Sequence, residues 1–414
     1  MRGRFGWLAA GLLAIAGSGS GCGGDDEAGI DGGRDAGARD AGGDAALPDG
    51  GPDDGGTDGA VMDGGVDDAA IADGAMSDGA IDDAALDAGV DDAGTDAGPD
   101  DAGMDAGPDD AGMDAGPVDG GPPAWAPLTP STAPSPRSHP GLTWDSTRGR
   151  AVLFGGFGAA GNLDDTWEYD GATWTEISTA TTPPARQQPG LAFDSARGVV
   201  VMFGGARGGP PHGDTWEYDG TDWTAISPPT SPPARRSHGM AYDASRDRVV
   251  VFGGNTGSFA GDTWEYDGTT WTRRFPPTRP SDREVVGMTY DPIGARIVLF
   301  GGRTGTTASS SQTWAYDGTT WTLLTPSTSP GQRGNAALAP LPARGGILLF
   351  GGWNWNTSSY LADTWLLVGD EWYSLAPSPS PSARYGNGLS TEGAGVLLFG
   401  GYASTYLGDT WRID

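Results

Sequence analysis

A double glycine returns six times in this chain at an almost constant interval, and the fold has to be built from that interval. The pairs are Gly155-Gly156, Gly204-Gly205, Gly253-Gly254, Gly301-Gly302, Gly351-Gly352 and Gly400-Gly401, at steps of 49, 49, 48, 50 and 49 residues. Val249 to Trp271 shows the unit: an apolar run, the glycine pair, a variable loop, Asp-Thr-Trp and a second tryptophan. The first tryptophans are Trp167, Trp216, Trp264, Trp314, Trp365 and Trp411. In five repeats a second follows seven residues on, at Trp174, Trp223, Trp271, Trp321 and Trp372. A period this long and even marks stacked supersecondary units.

The units read as β-structure. Runs such as Arg248-Val-Val-Val-Phe252 and Arg296-Ile-Val-Leu-Phe300 are rich in β-branched and aromatic residues and bounded by Asp and Gly, which predicts buried strands. Paired glycines at the strand end leave no Cβ, so a neighbouring ring is expected to lie on the backbone there. Trp264 and Tyr266 share a face by the two-residue period, and Asp267-Gly268 supplies a tight turn into Trp271. One such sheet cannot hide both faces, so the sheets must stack around an axis.

The ordered features of each unit resemble the kelch family: an Arg near the start of the first strand, an apolar strand ending in Gly-Gly, a loop, an aromatic strand with Tyr-Asp, and a short strand opening with Trp. The resemblance covers Trp125 to Asp414 and implies an all-β, six-bladed kelch-type β-propeller with one four-stranded sheet per repeat. The sixth repeat stops three residues after Trp411. Ala124-Trp125-Ala-Pro-Leu128, however, looks like the last strand of a unit with no strands before it. The N-terminal strand is therefore expected to close the ring in blade six, removing exposed edges.

Three segments follow from composition: 1–22, 23–123 and 124–414. Residues 1–22 carry Arg2 and Arg4, an apolar run from Phe5 to Ala16 and small residues before Cys22. That run is too short to span a bilayer and has the layout of an export signal. It resembles a bacterial lipoprotein signal with Cys22 as the acylated thiol, although Gly19 stands where such signals have Leu; Ala14-Ile-Ala16 offers an ordinary cleavage site instead. The expected location is a bacterial cell envelope, on an outer membrane reached only through the lipid, or the exterior if Cys22 is not acylated. As the sole cysteine, Cys22 excludes an internal disulfide.

Residues 23–123 hold 29 acidic residues against Arg34 and Arg39, and most of the chain's net charge of −31. Built of Asp-Ala-Gly units without an aromatic residue, they are expected to form a disordered tether, roughly 55 Å in end-to-end span. The Asp clusters lack the alternating oxygen ligands and closing Glu of a known calcium loop, so diffuse counter-ion attraction is the expectation. The remaining 124–414 are near neutral and carry no basic stripe, which argues against nucleic acid as a partner. The propeller is expected to be monomeric.

Candidate binding residues fall in two sets. In a kelch propeller, Arg137, Arg186, Arg235, Arg283, Arg333 and Arg384 would stand towards one end of the channel, as a cationic mouth for an anion. Alternatively each pairs with the Asp of a following strand, Asp165, Asp214, Asp262, Asp363 or Asp409. Gln312 breaks that series and leaves Arg283 without a carboxylate. The second set is Trp353, Asn354, Trp355, Asn356, Tyr360, Tyr402 and Tyr406, rings interleaved with amides on adjoining loops, a pattern suited to sugar faces or a peptide.

His139, His212 and His238 could be drawn together as a metal site, but no softer ligand stands near, and neither a metal nor a cofactor is expected. The chain has no lysine, which rules out Schiff-base chemistry. The expected function is a binding module for a glycan, peptide or protein partner. The alternative is a sugar-active enzyme resembling N-acetylneuraminate epimerase or a sialidase, which would use the arginines.

Overall fold

The computed structural model describes residues 123–414. The expectations about residues 1–22, Cys22 and the acidic stretch up to residue 122 lie outside the described residues. Twenty-five strands form six antiparallel sheets, which we number as blades 1 to 6. Blade 1 runs through Gly141–Asp145, Arg150–Gly158, Gly161–Tyr169 and Trp174–Ile177, with the short Arg137–Ser138 added against Phe157 and Gly158. The other blades repeat this meander.

The inner strands are Gly141–Asp145, Gly190–Asp194, Gly239–Asp243, Gly287–Asp291, Ala337–Leu341 and Gly388–Glu392. Each packs against the inner strands of both neighbours, and the sixth packs against the first. The outer strand of blade 6 is Trp125–Leu128, antiparallel to Tyr406–Ile413, with Trp125 opposite Ile413 and Leu128 opposite Thr410. Around the axis the inner strands leave a cavity of about 340 Å³, lined by residues such as Leu191, Met240, Tyr242 and Leu338.

The apolar runs became the second strand of each blade, where Val249, Val250, Val251 and Phe252 are fully buried. Their two faces feed the cores shared with the blades on either side: Val249 and Val251 pack with Tyr266 and Trp271, while Val250 and Phe252 pack with Tyr316 and Trp321 of blade 4. This sharing is why the run has no polar alternation.

Each outer-strand tryptophan bolts one blade to the one before it. Trp271 is fully buried, donates from Nε1 to Thr215 Oγ1 at 3.0 Å and meets Phe203 with ring centroids 5.2 Å apart. Trp223 does the same with Thr166 at 2.9 Å and Phe154 at 5.2 Å. The Thr of Asp-Thr-Trp is thus the acceptor for the next blade's indole, so both motifs must keep the same period.

The glycine pairs serve a different contact from the ring packing expected of them. Gly155 and Gly156 have φ of 62° and 107°, and the ladder slips by one residue between Phe154 and Gly156. A Cβ on Gly155 would stand 2.7 Å from the carbonyl oxygen of Arg186, in the next blade. The same carbonyl accepts the Gly156 N–H at 2.9 Å. A backbone oxygen, not an aromatic ring, fills the space that the missing side chain leaves.

Candidate functional site

The conserved-in-period arginines sit at these blade junctions, not at an open channel mouth. Arg137, Arg186, Arg235, Arg283, Arg333 and Arg384 are at most 2% exposed. Each donates from Nη1 to the carbonyl of its own blade's first paired glycine, as Arg186 does to Gly204 at 2.8 Å. Five then fork onto a carboxylate: Arg137 onto Asp165, Arg186 onto Asp214, Arg235 onto Asp262, Arg333 onto Asp363 and Arg384 onto Asp409. The same Asp accepts the indole N–H two residues on, at 2.7 Å for Asp214 and Trp216.

Burial works against ionising these carboxyls, but the hydrogen bonds and charge of the arginines outweigh it and hold Asp165, Asp214, Asp262, Asp363 and Asp409 below the usual carboxylate range. Arg283 has Gln312 Oε1 at 2.9 Å instead, together with Ser281 and Gly301, and burial lowers its pKa to about 10. With their donors committed to structure, the six guanidinium groups do not form the cationic mouth considered above.

The residue two places after each of these arginines turns the chain with positive φ: His139 at 53°, Gln188 at 58°, Ser237 at 58°, Val285 at 53°, Asn335 at 52° and Gly386 at 63°. Backbone hydrogen bonds link them around the axis. Gln188 donates to His139, His139 to Gly386, Gly386 to Asn335, Asn335 to Val285 and Val285 to Ser237, at 2.6 to 3.4 Å. This collar forms the floor of a cup of about 410 Å³ on the loop face.

The cup has two unlike sides. On blades 5 and 6 stand Trp353, Trp355, Tyr360 and Tyr385. Tyr385 is the hub: its ring lies 5.8 Å from Tyr360, nearly parallel at 7°, 5.9 Å from Trp353, 5.7 Å from Tyr402 and 5.5 Å from His139. Tyr402 and Tyr406 continue the aromatic wall to Phe157 of blade 1, outside the cup itself. A Cβ on Gly334 would meet the Trp355 ring at 2.7 Å, so glycine there lets the indole fold over the blade.

Blades 2 to 4 supply Gln187, Gln188, Arg236, Glu284 and Arg303. Glu284 is satisfied by Asn255 Nδ2 at 2.8 Å and Arg303 Nη1 at 3.0 Å, and the Arg303 guanidinium lies over the rings of Phe259 and Trp355. The side chain of half-buried Arg236 has no partner among the described residues, nor do those of Gln187 and Gln188. Arg236, before the first strand of blade 3, and Tyr385, before the first strand of blade 6, line the same cup from blades three places apart in the ring.

Two of the amides expected in the site have other work. Asn354 Oδ1 accepts the N–H of Asn356 at 2.9 Å and shapes its own loop, while Asn356 Nδ2 donates to Gln332 at 2.5 Å and its Oδ1 accepts the Ser309 N–H at 3.4 Å, tying that loop to neighbouring segments. His139 packs on Tyr385 and His238 on Phe203, and no group of three potential metal ligands occurs among the described residues.

Tyr385, Gln187, Gln188 and Arg236 were not singled out from sequence. The available signal was the position after each periodic arginine, which differs in every blade, reading Ser138, Gln187, Arg236, Glu284, Gly334 and Tyr385, beside an arginine that does not change. Residues 124–278 and 269–414 match the family model described as the KLHDC2/KLHL20/DRC7 Kelch-repeats domain, more than half of the chain. Among curated proteins no match was found. With six blades, the repeating Gly-Gly, Arg and Trp contacts and this match, the chain belongs to the Kelch-repeat family.

Proposed function

We propose that this Kelch propeller, a fold commonly used as a protein-interaction module, acts by binding a glycan, peptide or protein partner in the cup on its loop face. One observation carries the reading: a pocket of about 410 Å³ on a rigid scaffold, with an unpartnered guanidinium on one side and a wall of half-buried aromatic rings on the other. Tyr, Trp and Arg are the residues that most often anchor a binding surface. The arginines that a sugar-active enzyme would need are engaged in blade junctions, and nothing favours that reading.

The test is an array of glycans and cell-envelope extract probed with the full chain. Binding should fall on Tyr385→Ala with Trp355→Ala and persist on Phe275→Ala, since Phe275 is 78% exposed and lies outside the cup. Equal retention by both would overturn the proposal.

The reading includes export and attachment through Cys22, supported only by the sequence of residues 1–22. Labelling with an alkyne fatty acid should mark the wild type and not Cys22→Ser; equal labelling would remove the anchor from the proposal.

A further inference from the structure

Among the charged and amide side chains of the cup, Arg236, Gln187 and Gln188 lack partners, one cation and two primary amides, and they line the same space as the aromatic rings of blades 5 and 6. A ligand that satisfies all of them carries an anion, hydrogen-bonding groups beside it, and a flat apolar face. We propose that the cup takes an acidic saccharide, with its carboxylate on Arg236, hydroxyls on Gln187 and Gln188, and a ring face against Tyr385 and Trp353. This deepens the proposed binding function and rests on it.

The charge argument comes from what is already neutralised. Glu284 and Arg303 satisfy one another, with Asn255 completing the carboxylate, so the cup keeps one positive charge, at Arg236. A planar guanidinium with free N–H groups matches a carboxylate in two-point contact. Residues 124–414 are otherwise slightly acidic, so this positive charge is a local feature of the cup.

The same floor argues against an extended peptide. Peptides that lie along a β-scaffold take much of their affinity from main-chain hydrogen bonds to a free edge. Five of the collar's six junctions are instead closed by its own N–H and C=O groups, from Gln188 through Gly386 to Ser237, with no such bond between Ser237 and Gln188, so no strand-length edge is free. What the cup offers is side-chain amides and ring faces, the groups that suit hydroxyls and the apolar face of a pyranose. Its volume lies near the lower end of small-ligand sites, enough to seat one or two rings of an oligosaccharide whose remaining rings extend out of the mouth.

The experiment is calorimetric titration of the full chain with tetragalacturonate, with its carboxyl-reduced galactose counterpart, and with tetra-aspartate. Tetragalacturonate should bind, weaken as salt is raised, and exceed both other ligands by about tenfold or more. Arg236→Gln should remove that preference, and Arg236→Lys, which keeps the charge without the fork, should restore part of it. Both variants are checked for an unchanged melting temperature, and should Arg236→Gln not fold, the partial loss of preference on Arg236→Lys is the readout.

Equal affinity for the reduced sugar, equal or tighter binding of tetra-aspartate, or no binding of tetragalacturonate would each overturn the inference. If tetragalacturonate fails while the array yields a ligand lost on Tyr385→Ala, this inference alone falls. If no array ligand depends on Tyr385, the proposed function falls with it.

Discussion

The indole nitrogen of Trp125 donates to Thr364 Oγ1 at 3.2 Å, joining residues 239 positions apart in the chain. The Trp125 ring also meets Phe350 edge-on at 5.4 Å, the same pair of contacts that Trp223 makes with Thr166 and Phe154. A tryptophan at the start of the described chain thus does in blade 6 what an internal one does in blade 2. Trp125→Ala should cost about 3 to 5 kcal/mol, as removal of a buried indole does. Trp223→Ala should cost as much, within the error of denaturant unfolding. A melting temperature unchanged by Trp125→Ala would mean that this strand does not hold the sixth blade.

The junction arginines predict a stabilising change. Arg283 is buried with an amide where the other five have a carboxylate, and burial alone sets its pKa shift. Gln312→Asp recreates the arrangement of Arg186 and Asp214 and should raise stability by about 1 to 3 kcal/mol, the worth of a charged hydrogen bond. Asp214→Ala, which leaves Arg186 buried without its counter-ion, should cost about 3 to 5 kcal/mol. Urea unfolding of both variants checks the pair; destabilisation by Gln312→Asp would show that blade 4 is built for the amide.

Much of the fold could be read from the sequence because its structural contacts repeat. Trp271, Gly253-Gly254 and Arg235 each make a contact that every other blade also makes, so each recurs at the period and announces itself. Their partners were partly legible too: an Asp stands two places before the first Trp in five of the six repeats that carry the Arg, which pointed to pairing. The cup was hidden for the opposite reason. Its residues are those that differ between blades, and Tyr385, Trp353 and Arg236 become neighbours of one space only when the ring closes. The loop rings were visible as a local cluster, whereas Arg236 lies more than 100 residues from them and carries no local mark.

Glycine at the junction separates two costs. Gly253 has φ of 67°, and a Cβ there would stand 2.7 Å from the Arg283 carbonyl oxygen; Gly149 has φ of 64° with nothing within 4 Å. Both substitutions force a side chain into the left-handed region, at about 1 kcal/mol. Only Gly253→Ala must also push the next blade's backbone away. It should cost at least about 2 kcal/mol more than Gly149→Ala by thermal unfolding. Equal costs would show that the junction yields freely.

Acid should weaken the propeller in two stages. Burial drives the His139 pKa down to about 4, partly opposed by its hydrogen bond to Asn335; burial, with the nearby charge of Arg235, takes His238 to about 3. Both values lie below the ordinary 6.5, so the unfolded chain takes up protons that the folded chain refuses. Their stabilisation is complete above pH 6.5 and declines as pH falls towards 4 for His139 and 3 for His238. The junction carboxyls are also depressed, so theirs is present above the unfolded value of 3.8 and is lost below it. Melting temperature against pH should therefore fall first between 6.5 and 4 and again below 3.8. His139→Gln with His238→Gln should flatten the upper slope and leave the lower one; an upper slope unchanged by that double substitution would assign it to other groups.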